Sequence, residues 1–253
     1  MQGISVLDEL VSMSRRLGAP AREAVILGEG NSSARADENS FWVKVSGAQL
    51  HNCGPEAFVQ VHFEPVLEML DGPELDDGQI RQALEAACVE PGGPRPSVET
   101  MFHALLLSYP DVHFVGHTHP VAVNSILCSD NWQKLLTGRL FPDEIVVCGE
   151  EYVLVPYCDP GLALSRVIRD RVSDFFQRHG EPPRTVLIQN HGLIALGKTA
   201  AMVDNITAMM DKTARIILGA CAAGGVHALP LRHVERIVAR PDEKYRQRGL
   251  DQA

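Results

Sequence analysis

The sequence lacks the features of several large protein classes. Its six cysteines include no Cys-x-x-Cys pair, so we expect reduced thiols in a cytoplasm rather than disulfides or a thiolate metal site. No apolar run is long enough to span a bilayer, and the first residues do not have the pattern of a signal peptide. We therefore predict a cytoplasmic protein without membrane contact.

Basic residues are also scarce. The chain has 23 Lys and Arg against 32 Asp and Glu, a net charge of −9, which argues against broad nucleic-acid binding. A local basic pocket for one phosphate group is still compatible with this balance. The Gly-x-Gly-x-x-Gly fingerprint is absent, so a dinucleotide-binding fold has no support. There is no internal repeat and no low-complexity segment.

What the sequence does contain is typical of one globular domain. Its 253 residues, 45% hydrophobic and 22% charged, suffice to bury a full core. Short apolar runs read as strands, among them 41–45, 59–63, 145–147, 152–155 and 186–194, and alternate with helical patterns. We therefore predict an α/β protein, a single three-layer α/β/α domain.

One stretch, residues 113–120, ends in the sequence His117-Thr118-His119-Pro120. Alternate side chains of a strand leave the same face, so both histidines would point the same way. Pro120 suits the first turn of a following helix. Two imidazoles on one face are good ligands for zinc or a similar ion. The alternative is a pair of surface histidines without a ligand.

Two further stretches strengthen the metal hypothesis. His191 follows an apolar run, and Gly192 beside it would permit a tight turn that aims His191 inward. Ser97 is predicted as a helix N-cap, which places Glu99 in the first turn. Glu99 there either interacts only with the helix dipole or faces the three histidines. In the second case it would supply the acid/base beside a three-histidine metal centre.

Two loops could bind an anion. Gly28 to Ser33 is rich in glycine and serine, and Lys44 with Ser46-Gly47 ends a predicted strand. Backbone N–H groups in such loops approach anions closely. The alternatives are an ordinary hairpin turn and a solvated edge-strand lysine. His103, one helical turn after Glu99, is interpreted as a packing or hydrogen-bonding residue that could also touch the site.

Five short motifs together resemble the class II aldolase/adducin family of sugar-phosphate lyases and epimerases. They are Glu-Gly-Asn-Ser-Ser at 29–33, Lys-Val-Ser-Gly at 44–47, Pro-Ser-Val-Glu at 96–99, His-Thr-His-Pro at 117–120 and Asn-His-Gly at 190–192. The resemblance implies a mixed, largely antiparallel central sheet and a homotetramer with sites near subunit boundaries. It also implies that Asn31, Ser33, Ser46, Gly47 and Ser97 bind the substrate or its phosphate.

The resemblance implies a chemistry as well. His117, His119 and His191 would hold a divalent metal, zinc first and manganese or cobalt as alternatives, and Glu99 would exchange the proton. We expect retro-aldol cleavage of a phosphorylated or carboxylated sugar through a metal-stabilised enediolate. Decarboxylation of a 3-oxo acid phosphate, 4-epimerisation and dehydration use related intermediates and are alternatives. A non-catalytic adducin-like domain is the least favoured, because all four residues of the centre are present.

One element of the related fuculose-phosphate aldolases is missing. Their proton-donating tyrosine follows the histidine pair by about twenty residues, but no tyrosine lies between Pro120 and Ile145. The resemblance extends to about Gly219 and the chain turns polar and basic from Gly224, so we predict a family domain over 1–223 and a C-terminal tail over 224–253 that could cover a neighbouring subunit's site. Tyr245 in this tail is the candidate donor, and a solvated tail without function is the alternative.

Overall fold

The structure is a computed structural model that describes residues 4–243, 245 and 249. The helices are Val6–Leu17 (α1), Phe63–Asp71 (α2), Asp77–Ala86 (α3), Thr100–Leu107 (α4), Val121–Leu127 (α5), Trp132–Leu136 (α6), Pro142–Cys148 (α7), Leu162–His179 (α8), Ala200–Ala222 (α9) and Leu231–Ala239 (α10). The strands are Asn31–Arg35 (β1), Ser40–Lys44 (β2), Phe58–His62 (β3), Phe114–Thr118 (β4), Val153–Val155 (β5), Thr185–Ile188 (β6) and Gly192–Gly197 (β7). Short 3-10 turns occur at Pro20–Arg22 and Pro55–Ala57.

The seven strands form one sheet in the order β3-β2-β1-β4-β7-β6-β5. Only β5 and β6 run parallel; the other neighbouring strands are antiparallel. The predicted mixed, largely antiparallel sheet is therefore confirmed. β4 lies at the centre, and its end brings His117 opposite Asn31 of β1 and Ile194 of β7.

Helices cover both faces of the sheet and give the predicted three layers. Strand residues alternate between two apolar cores: Val186 and Ile188 of β6 join one, and Leu187 between them joins the other. The first core contains α2, α3, α4 and α8, and the second contains α1, α5, α6, α7 and α9. A strand buried on both faces cannot show the apolar/polar alternation of a half-exposed one.

The predicted strand over residues 145–147 is wrong, because these residues lie in α7. Pro142 occupies the first turn of this helix, where its missing N–H costs nothing. Glu144 is buried and accepts hydrogen bonds from Arg139 at 2.9 Å and from the Tyr152 hydroxyl at 2.6 Å. A short apolar run fits either a buried helix or a strand, and here tertiary contacts favour the helix.

The predicted tail contains one packed element. Helix α10 is strongly amphipathic and lies against α7, with Val234 buried. Tyr245 is 79% exposed. Residues 244, 246–248 and 250–253 of the predicted tail lie outside the described part of the chain. Among the described residues, no helix is both long enough and apolar enough to cross a bilayer.

Candidate active site

Three histidines meet at one end of the central strands. His117 is on β4, His119 follows the end of that strand, and His191 lies in the turn between β6 and β7. The Nε2 atom of His117 is 3.1 Å from Nε2 of His119 and 3.2 Å from Nε2 of His191. Ligand nitrogens about 2.1 Å from a tetrahedral zinc ion lie roughly 3.4 Å from each other. The triad can therefore hold one divalent ion.

The ring orientation of His117 suits this role. Its Nδ1 lies 3.0 Å from the carbonyl oxygen of Leu193. Because a carbonyl only accepts, Nδ1 carries the proton and donates, and the lone pair of Nε2 faces the other two rings. The side chain of Asn124 donates to the carbonyl of His191 at 2.9 Å and fixes the β6–β7 turn. The Nδ1 atom of His191 is buried without a partner among the described residues.

Gly192 contributes differently from the prediction. The residue with a left-handed backbone in this turn is Asn190, with φ of 53°. A Cβ on Gly192 would lie 2.5 Å from the carbonyl oxygen of Thr118 and 2.7 Å from Cδ2 of His119. The glycine is therefore required for the close approach of the turn to the histidine pair, and Asn190 supplies the unusual backbone conformation.

Glu99 faces the three histidines. Its Oε1 is 3.2 Å from Nε2 of His191, and its Oε2 is 3.7 Å from Nε2 of His117. The predicted helix start was wrong by two residues. Helix α4 begins at Thr100 with Glu99 in the capping position, while the Ser97 hydroxyl accepts a hydrogen bond from the Glu99 backbone N–H at 3.3 Å. The Ser97 turn thus directs the Glu99 side chain toward the metal-ligand cluster.

Burial sets the protonation states of this centre. It lowers the pKa of His117 to about 4 and that of His119 to about 3, so both rings are neutral at pH 7. Burial by itself would raise the pKa of Glu99. The neighbouring His117 and hydrogen bonds from His191 and Asn31 outweigh that effect and hold the pKa well below its usual range. Neutral imidazoles beside a carboxylate are the form that binds a divalent cation.

The predicted substrate residues fall into two groups. Asn31 and Ser97 are next to Glu99: the Asn31 amide donates to Oε2 of Glu99 at 2.7 Å and to the Ser97 hydroxyl at 3.4 Å. Ser46 and Gly47 form an exposed loop whose Ser46 N–H bonds the Arg95 carbonyl. A Cβ on Gly28 would lie 3.3 Å from the Gly47 carbonyl oxygen, so the loop that contains Gly28 contacts the loop that contains Gly47.

Ser33 and Lys44 are not exposed to a ligand. Ser33 is fully buried, and its hydroxyl lies 2.6 Å from Nδ1 of His103. Lys44 is 1% exposed, and its ammonium donates to the carbonyls of Ala48 at 2.6 Å and Gly28 at 3.3 Å. The alternative of a solvated edge lysine is therefore excluded, because β2 lies inside the sheet and the ammonium joins two loops.

Sequence reasoning missed one carboxylate and undervalued one histidine. Glu29 lies 3.9 Å from Nδ1 of His119 and accepts a hydrogen bond from the Ile26 N–H. His103 is fully buried and bonds both Asn31 and Ser33. The spacing of four residues between Glu99 and His103 on a helix was the available signal.

Comparisons with known proteins agree with this geometry. A sequence profile of the Class II Aldolase and Adducin N-terminal domain matches residues 8–218. The N-terminal class II aldolase domain of a conserved protein from Thermoplasma acidophilum has a similar structure, with a TM-score of 0.68 and 25% identity. That match covers 86% of this chain and 96% of the other.

Two relatives of known sequence are named for two different reactions, an oxidation–reduction and a dehydration. An uncharacterized oxidoreductase of Bacillus subtilis, YuxG, is 32% identical over 77% of this chain, but the match spans only 27% of that protein. The methylthioribulose-1-phosphate dehydratase of Microcystis aeruginosa is 23% identical over 76% of this chain and 85% of its own length. Because the profile matches residues 8–218, most of the chain, the chain belongs to the class II aldolase and adducin N-terminal domain family.

Proposed function

We propose that this protein is a metal-dependent lyase that cleaves a carbon–carbon bond of a sugar phosphate by a retro-aldol reaction. The observation that carries the proposal is the cluster of three imidazoles, of which His117 and His191 lie 3.7 Å and 3.2 Å from the Glu99 carboxylate. An adducin-like scaffold has no need of such a centre. His117, His119 and His191 would hold the ion, with zinc first and manganese or cobalt as alternatives.

A divalent ion in this position supplies Lewis-acid stabilisation of negative charge on the substrate oxygens. The protein residues supply the remaining functions. When the bond next to the carbonyl breaks, its electron pair stays with the fragment that carries the carbonyl. The hydroxyl of the other fragment gives up its proton as that fragment becomes the aldehyde. Glu99, a carboxylate at rest, takes up a proton and transfers it to the carbon that kept the electron pair, and in the condensation direction it removes the same proton. Its carboxylate is held in place by the Asn31 amide, which donates to Oε2 at 2.7 Å.

The loops beside Glu99 fit the charged end of the substrate. Ser97 and Ser46 would offer hydroxyl groups and Gly47 a backbone N–H from adjoining loops, and Asn31 bonds both Ser97 and Glu99. Lys44 beneath these loops adds a buried positive charge near the anion. Binding of a phosphate here would fix the reacting carbon beside Glu99. Ser33 would act indirectly, through its bond to His103.

The test is a screen of purified, metal-replete protein against ketose phosphates and 3-oxo acid phosphates, with aldehyde and carbon dioxide release measured separately. Glu99→Gln should lose activity by about a hundredfold or more while keeping its fold, since the amide cannot exchange a proton. The control is Glu68→Gln, which alters an exposed glutamate of α2. Near-normal turnover of Glu99→Gln would remove Glu99 from this role.

Dehydration of a sugar phosphate is the second candidate. It is favoured by the similarity to the methylthioribulose-1-phosphate dehydratase and by the absence of a tyrosine between Pro120 and Ile145. Loss of water forms no aldehyde, so no residue is needed to exchange a proton with an aldehyde oxygen. Glu99 would take the proton from carbon and return it to the departing hydroxide. A product of unchanged carbon number and 18 Da lower mass would support dehydration over cleavage. The third possibility of 4-epimerisation would change stereochemistry at constant mass.

The assembly belongs to the same proposal. A family domain over 1–223, with 224–253 as an appended segment, would form a cytoplasmic homotetramer whose sites lie near subunit boundaries. Tyr245 is the candidate for the missing proton donor at a neighbouring site. Its high exposure within one chain is compatible with such a contact. Light scattering of the purified protein tests the tetramer.

A further inference from the structure

A chain of buried side chains leads from Glu99 into the protein core. The Asn31 amide donates to Glu99 Oε2 at 2.7 Å, and its Oδ1 lies 2.5 Å from Nε2 of His103. Nδ1 of His103 is in turn 2.6 Å from the Ser33 hydroxyl. His103 and Ser33 are fully buried and Asn31 is 4% exposed. Hydrogen bonds thus connect Glu99 without a break to Ser33 in the protein interior.

The chemistry of these groups allows one consistent set of donors. A carboxylate only accepts, so Asn31 must present its NH₂ group to Glu99 and its oxygen to His103. The amide oxygen then requires a donor, which makes Nε2 the protonated nitrogen of His103. Burial lowers the pKa of His103 to about 3, so the ring is neutral and Nδ1 accepts the Ser33 hydroxyl proton. Every side-chain polar atom in this series of four residues therefore has a hydrogen-bond partner.

The two-residue repeat of a strand and the 3.6-residue turn of a helix bring Asn31, Ser33, Glu99 and His103 together. Asn31 and Ser33 are two apart on β1 and leave the same face of the sheet. Glu99 and His103 are four apart at the start of α4, about one helical turn. The strand pair therefore faces the helix pair, with Asn31 between Glu99 and His103. Phe102 stacks on the His103 ring with centroids 4.7 Å apart and limits its rotation.

We propose that His103 is a positioning residue that fixes the orientation of the Asn31 amide and, through it, the Glu99 carboxylate. The proposal rests on the proposed function in one respect, namely that Glu99 is the acid/base. An amide turned by 180° would place Oδ1 against a carboxylate oxygen, a repulsive contact in a site with little water. Without the His103 donor, the orientation of Asn31 loses its anchor on the side away from Glu99.

The experiment compares two substitutions of one residue. His103→Leu fills the space but removes the donor, whereas His103→Gln can place an amide N–H near the position of Nε2. The control is Leu106→Ala, an equally buried residue of the same helix whose side chain has no polar group. Side-chain NMR of ¹⁵N-labelled protein identifies the Asn31 NH₂ signal by its loss in Asn31→Ala. Hydrogen exchange of that NH₂ group is the readout that does not depend on activity.

We expect exchange at Asn31 to accelerate by about tenfold or more in His103→Leu and to stay near the wild-type rate in His103→Gln and Leu106→Ala. Turnover should fall by about 10- to 100-fold in His103→Leu with KM little changed, and His103→Gln should restore most of it. In an Asn31→Ala background the His103→Leu loss should largely disappear, since both act through one contact.

Wild-type exchange of the Asn31 amide in His103→Leu would overturn the proposal, as would full additivity of the two losses. An equal loss of turnover in Leu106→Ala and His103→Leu would also overturn it, because general destabilisation would then explain both. Failure of the proposed function gives a different pattern. The metal-replete wild type would then show no lyase activity, while the exchange rates at Asn31 would still depend on His103.

Discussion

Gly192→Ala should damage the metal centre although it adds only one methyl group. The new Cβ would lie 2.5 Å from the Thr118 carbonyl oxygen and 2.7 Å from Cδ2 of His119. Favourable contacts between heavy atoms are about 3.5–4.0 Å. The backbone atom cannot yield without breaking the pairing of β4 with β7. Either the turn or the His119 ring must therefore move by about 1 Å.

The expected loss follows from this displacement. Overpacking of a rigid site costs about 1–3 kcal/mol of folding free energy. Misplacing one of three imidazoles should weaken metal binding by about tenfold or more. Zinc affinity is measured with a chelator competition assay, and stability by urea unfolding of the metal-free protein. The control is Gly219→Ala on α9, where a Cβ meets no atom within 4 Å. Alanine there should stabilise the helix by about 0.5–1 kcal/mol.

Wild-type zinc affinity and stability in Gly192→Ala would refute the reasoning. They would mean that the turn between β6 and β7 relaxes freely and that the close approach at Gly192 does not constrain the ligands. A loss of stability with unchanged zinc affinity would separate the two parts of the argument. It would confine the strain to the carbonyl contact of Thr118 and leave the His119 ring in place.

Four further predictions concern other parts of the molecule. His191→Ala should reduce the bound metal, measured by elemental analysis, to well below one equivalent; full occupancy would exclude His191 as a ligand. Burial lowers the pKa of His103 to about 3, so its neutral form stabilises the fold above pH 6.5 and that contribution is lost as the pH falls toward 3. From pH 6.5 to pH 5 the wild type should lose roughly 2 kcal/mol more than His103→Leu in urea unfolding, and parallel pH curves would contradict this. Arg139→Leu leaves the buried Glu144 carboxylate without its 2.9 Å partner and should cost about 3–5 kcal/mol; a loss under 1 kcal/mol would show that the pair is not needed. Truncation after Arg240 should leave the unfolding midpoint nearly unchanged because Tyr245 is 79% exposed; a loss of turnover in that variant that recurs in Tyr245→Phe would identify Tyr245 as the donor.

The local patterns that predicted the site were those with few alternative explanations. His117 and His119 precede Pro120, and a strand followed by a helix is the usual meaning of that arrangement. The structure confirms it, with β4 ending at Thr118 and α5 beginning at Val121. The glycine at position 192 correctly indicated a constrained turn. The constraint itself comes from the Thr118 carbonyl and the His119 ring, more than 70 positions away in the sequence.

The errors share one cause. Residues 145–147 are apolar and β-branched, and such a run is compatible with a strand as well as with a buried helix. The Arg139–Glu144 pair that accompanies the helix is visible only in the folded chain. The sequence left Lys44 either at a phosphate or solvated at a sheet edge, whereas its burial depends on β2 lying between β1 and β3 and on carbonyls from two loops. Composition carries no information about such partners.

The sequence by itself determined the family, the layered α/β fold and the residues of the candidate metal centre, because these depend on residue type and short spacing. The tertiary structure alone decided how those residues interact. It set Glu99 beside His191, made Asn31 a bridge from Glu99 to His103, and buried Ser33 and Lys44. These contacts join positions about 70 to 90 residues apart or depend on burial. Hydrogen-bond direction and burial are properties of packed atoms, and they follow from the sequence only through the complete fold.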